Sequence, residues 1–83
     1  MDDVTIHLTD ENAIANYPFL FKVGDRVRSR TDGREGAVEN ATFVGPPPSA
    51  GGAFQITYEV RVDDIGVMRY AMADLEKPKT NSA

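Results

Sequence analysis

Eighty-three residues with a net charge of −4 and no cysteine confine the chain to one small domain, without disulfides, a cysteine-based zinc site or a thiol nucleophile. The 41% apolar share suits a globular chain rather than a disordered one, and no apolar run approaches the roughly 20 residues a membrane span needs. The acidic balance disfavours nucleic acid as a partner, and MDDVTIHLTDEN lacks a leader's basic start and hydrophobic centre, so a cytoplasmic chain is expected.

The first stretch, VTIHLTDENAIANYP, has two parts. Val4, Ile6 and Leu8 alternate with Thr5, His7 and Thr9, the period of a short half-buried strand. Thr9 or Asp10 can then cap a helical turn from Glu11 to Ala15. Pro18 ends it by pushing Tyr17 out of the helical region. This arm is expected either to pack across the main body or to pair with a second chain. VGDRVRSR predicts a strand with Val23 and Val27 on one face and Arg26, Arg28 and Arg30 on the other. TDGREG is a turn, and AVENATFV predicts a second strand that buries Val38 and Val44. GPPPSAGGA predicts an exposed loop, because its prolines cannot donate ladder hydrogen bonds and no side chain in it suits a core.

FQITYEVRVDD carries the clearest alternation in the chain. Phe54, Ile56, Tyr58, Val60 and Val62 share one face, and Gln55, Thr57, Glu59, Arg61 and Asp63 the other. Asp64 to Gly66 turns the chain into a fourth strand, VMRYA. AMADLE predicts a single 3₁₀ or α turn before a short last strand, with Leu75 as a core plug. Short strands at close intervals predict an all-β domain. We expect an arm over residues 1–20, a five-stranded barrel over 21–77 and a polar tail over 78–83.

Little of this composition points to chemistry. Arg26, Arg28 and Arg30 form a basic face that can hold phosphates or an acidic partner. Asp25, Asp32, Glu35, Glu59 and Asp63 lie near enough in the pattern to offset it as cross-strand pairs, and no aromatic residues alternate with the arginines for base stacking. The pairs Asp2-Asp3 and Asp63-Asp64 lack metal-loop spacing, so no metal site is expected. His7 has no second histidine, cysteine or serine motif to act with. Met68 and Tyr70 share one side of their strand, facing either the chain's own core or a partner.

The order VGDRVR, G-x-x-G-x-V, YEVRVDD and Y-A-x-x-D-L-E, from Phe21 to Glu76, resembles the SH3-like small barrels, which include KOW-type and Tudor-like modules. More narrowly, FKVGDRVRSR with VMRYAMADLEK resembles the type II dihydrofolate reductases, short plasmid- and cassette-borne barrels. In that family four barrels surround a pore lined by a valine-glutamine-isoleucine-tyrosine strand. The matching positions are Val67, Met68, Arg69 and Tyr70, with a thioether for the amide and a charge for the isoleucine. The family's pore lysine falls on Ser29, with Arg30 beside it. The resemblance therefore implies a pore-equivalent set of Ser29, Arg30, Val67, Met68, Arg69 and Tyr70.

The expected function is that of a non-enzymatic binding or assembly module. It self-associates as a dimer or tetramer, takes no catalytic residue or cofactor, and leaves room for another protein partner. The first alternative is an NADPH-dependent reductase of the type II dihydrofolate reductase kind. The second is a nucleic-acid or ribosome-associated module that uses the arginine face.

Overall fold

The computed structural model describes residues 3–11 and 13–78. In chain order the elements are β1 (Val4–His7), α1 (Ala13–Asn16), β2 (Arg26–Ser29), β3 (Glu35–Gly45), β4 (Gln55–Val62), β5 (Gly66–Ala71) and β6 (Leu75–Glu76). Two 3₁₀ turns, Pro48–Ala50 and Met72–Asp74, interrupt the connections. Every pairing is antiparallel, in the order β5-β4-β3-β2-β6, with β1 added beside β3. The domain is all-β, as its alternating segments require. No helix among the described residues is long and apolar enough to cross a membrane.

The five-stranded barrel does not close. β6 has only two residues, and both pair with β2, Ser29 opposite Leu75 and Arg28 opposite Glu76. β5 pairs with β4 alone, so its second edge has no partner strand among the described residues. The short turn before β6 and the Leu75 plug stand where the pattern put them, with Leu75 buried.

β3 is the organising strand. One half pairs with β2, the other with β1, and its opposite edge pairs with β4 along nearly its whole length. A bulge at Glu39 lies between the Val38–Val60 and Asn40–Glu59 pairs. An extra residue shifts a period-2 pattern by one, so inward positions change parity across it. Val38 is buried before the bulge, and Ala41 and Phe43 after it. The expectation that Val44 is buried therefore fails: it is 43% exposed. Val23 also departs from the pattern, because it sits in the turn ahead of β2 and is exposed. Phe54 precedes the first paired residue of β4, and its ring lies partly exposed against Phe43, centroids 5.2 Å apart.

The arm pairs within its own chain. Thr5 stands opposite Val44 and His7 opposite Thr42, and Leu8 N–H donates to the Ala41 carbonyl at 2.7 Å. Asp10 turns the chain by accepting from His7 N–H through its carboxylate and from Ala13 N–H through its carbonyl. After α1, the chain from Tyr17 to Phe21 crosses the core and is held there by Tyr58. The Tyr58 hydroxyl accepts hydrogen bonds from the amides of Leu20 at 2.8 Å and Phe21 at 3.2 Å. Phe19 and Phe21 meet the Tyr58 ring edge-on.

Burial pushes the Tyr58 phenol above its ordinary range, because the ionised form loses solvation. A raised value means that its stabilisation is complete below the ordinary tyrosine range and is lost as pH rises above that range, through the raised value. Tyr58→Phe leaves two amides without their acceptor, so it should cost about 1–3 kcal/mol. That corresponds to roughly 4–8 °C of melting temperature per kcal/mol for a domain of this size. Thermal melts at neutral pH and above about pH 10 should show the wild type losing more stability with alkali than Tyr58→Phe.

Candidate functional site

The basic face of β2 is largely neutralised by carboxylates. The Arg26 guanidinium meets the Asp63 carboxylate with two nitrogens, at 3.3 and 3.2 Å. This fork raises the Arg26 pKa and holds the Asp63 carboxyl below its ordinary value. Arg30 pairs with Glu76 at 3.2 Å, and Arg34 lies 4.0 Å from Asp32. Arg61 pairs with Glu39 on the neighbouring strand. Arg28 is half-buried, with Glu35 and Glu76 opposite it on the strands to either side. Asp63 and Asp32 are among the offsetting carboxylates expected from the sequence. Glu76 is not, because only the tertiary pairing of β6 with β2 brings it near.

The pore-equivalent positions divide between the two faces of the sheet. Ser29 is 1% exposed and Tyr70 8%, Met68 is half-buried, and Arg30, Val67 and Arg69 are exposed. Ser29, Met68 and Tyr70 converge on the turn between β2 and β3. The Tyr70 hydroxyl donates to Asp32 Oδ2 at 3.1 Å and lies 3.5 Å from Met68 Sδ, which also accepts from Arg34 at 3.4 Å. Asp32 Oδ1 accepts the backbone N–H of Arg34 at 3.0 Å. That amide above all, with Ser29, Tyr70 and the Arg34 charge, holds the Asp32 carboxyl below its ordinary value. Burial, then the bond to Asp32, pushes the Tyr70 phenol up.

The Ser29 hydroxyl lies 2.8 Å from that of Thr31 and accepts from the Thr31 N–H. This cluster latches the turn at residues 30–34 against β5. Elsewhere, His7 is exposed and lies 3.2 Å through Nδ1 from the Thr42 hydroxyl. No three His, Asp or Glu side chains gather in a metal-binding group among the described residues.

Two less polar surfaces remain. One is the unpaired edge of β5, where Ile65 is 52% and Val67 46% exposed. Arg69 on the same face stands opposite Glu59 of β4. The other is a cleft of about 350 Å³ between the arm and the segment after β3, walled by Tyr17, Pro18, Phe43, Pro46, Pro47 and Phe54. The sequence predicts that segment as an exposed loop, either functional or a tolerated insertion, with no side chain fit for a core. The residues that build the cleft come from two segments, 15–18 and 43–54, and no local pattern joins one segment to the other.

With Arg26 and Arg30 held by carboxylates, and with Glu35 and Glu76 opposite Arg28, the arginine face should contribute little to stability and nothing to phosphate binding. Arg28→Ala and Arg30→Ala are each expected to change stability by no more than about 0.5 kcal/mol. A mobility-shift assay at physiological salt, with duplex and single-stranded probes, should show no complex.

No protein family, curated protein or solved structure compared with the chain matches it.

Proposed function

We propose that the chain is a non-enzymatic binding and assembly module built on an SH3-like barrel, self-associating through the open edge of β5. The unpaired edge itself carries the proposal. A strand edge presents a row of free amide and carbonyl groups, and a second strand can extend the sheet across it. Exposed Ile65 and Val67 supply apolar cover for such a joint, and Glu59 stands opposite Arg69 in the register. The SH3-like assignment draws support from five consecutive strands in the order β5-β4-β3-β2-β6, with a 3₁₀ turn leading into the last.

The related reading, a reductase of the type II dihydrofolate reductase kind, rests on the motif resemblance. It has less behind it here. Tyr70 and Met68 turn toward the chain's own interior, and the outward positions of β5 are Val67 and Arg69, neither of which offers an amide. Two measurements separate these readings. Light scattering should return a species of at least twice the 9.1 kDa chain mass, and Val67→Asp should shift it toward the monomer without loss of folding. A wild type found only at 9.1 kDa overturns self-association. NADPH consumption with dihydrofolate should not exceed that of a protein-free blank, and a rate above it would restore the reductase reading.

A further inference from the structure

The cleft beside the N-terminal arm has the construction of a ligand site, and β5 self-association makes no use of it. Its volume of about 350 Å³ lies within the range of small-molecule pockets, which begins near 300 Å³. Among the described residues its lining holds no charged side chain, in a chain in which 27% of residues are charged. Three aromatic rings form a continuous wall. Tyr17 and Phe43 stand 4.9 Å apart and tilted by 54°, and Phe54 stacks on Phe43 at 29°. Among the described lining residues, Asn16 and Tyr17 bring the polar side chains.

The walls are set by backbone as well as side chains. A Cβ at Gly45 would come within 2.6 Å of Phe54 Cβ, so glycine there is what lets Phe54 close against the end of β3. The facing wall bends back through Gly51 and Gly52, with φ of +71° and +104°, a conformation that residues with a side chain rarely adopt. Prolines 18, 46 and 47 fix the backbone dihedrals on both sides of the opening. The result is a preformed, mostly apolar slot.

We infer that this cleft binds one small, uncharged, flat aromatic molecule, packed against Tyr17 and the exposed ring of Phe54, with the Asn16 amide and the Tyr17 hydroxyl available to its polar groups. A charged ligand would lose solvation with no counter-charge among the described lining residues. A saturated ring of similar size would forgo the aromatic contact.

Indole is a suitable probe, followed by amide chemical shifts in the full chain, with cyclohexanol and benzoate as the non-aromatic and charged comparisons. Indole should cause saturable shifts at Asn16, Tyr17, Gly51, Gly52 and Phe54, with the other two binding more weakly. Phe54→Ala should weaken indole about three- to tenfold, the range one aromatic contact supplies. Phe54→Leu keeps apolar bulk at the site if the alanine variant unfolds, and it should also bind more weakly. Ile65→Ala, on the distant β5 edge, should bind as the wild type does. The inference is overturned by any of three results: no saturable shift at these residues, equal binding of all three probes, or full affinity in a folded Phe54→Leu. A proline-rich peptide that shifts the same resonances where indole does not would also overturn it, making the cleft a protein-docking groove.

Discussion

A phenol hydroxyl at the centre of the sheet holds the two parts of this molecule together. Tyr58 is fully buried on β4, between Ala41 of β3 and Tyr70 of β5. A phenol in such a place needs a hydrogen-bond partner, and it finds two in the amides of Leu20 and Phe21, nearly forty residues earlier in the chain. Those amides belong to a segment with no strand of its own to pair with. One side-chain oxygen thus fixes the path of the arm into β2. It also sets where Phe19 and Phe21 meet the core, and it anchors the segment that begins at Tyr17.

The second constraint is the phase of β3. A regular strand of its length would present one set of alternate residues inward throughout. The bulge at Glu39 divides it into two halves of opposite parity, so that it buries Val38 beside β2 and Phe43 beside β1. Phe43 then backs the cleft, Tyr17 reaches it from the arm, and Phe54 closes over it from the start of β4. The aromatic slot is therefore a product of the bulge and the Tyr58 anchor acting at opposite ends of one wall.

Charge is distributed with equal consequence. Carboxylates from β6, from the turn before β3 and from the turn after β4 stand against the arginines of β2 and its neighbouring turn. These exposed pairs add little stability individually. Their effect is to leave no continuous basic surface, which steers the functional reading toward neutral and apolar contacts. The Asp32 carboxylate has a further part, since it ties the turn after β2 to Tyr70 of β5.

Side-chain alternation read from the sequence was enough to place β4, the arm strand and the buried set of Ile56, Tyr58, Val60 and Val62, because a period of two survives wherever a strand is regular. The Gly24–Asp25 turn and the turn before Leu75 were legible for a similar reason: their residues set local backbone geometry. Val44 was misread because a bulge inserts one residue without any composition signal, and Val23 and Phe54 because each lies just outside the strand it seemed to begin. Of the pore-equivalent residues, the sequence put Met68 and Tyr70 on one side of β5 but left open which side was interior. Only tertiary structure decided that Tyr70 turns inward to Asp32, that Glu76 reaches Arg30, and that three distant aromatic rings make one cleft. Each of these depends on contacts between residues far apart along the chain, and spacing along a sequence carries no record of which distant segments the sheet will bring side by side.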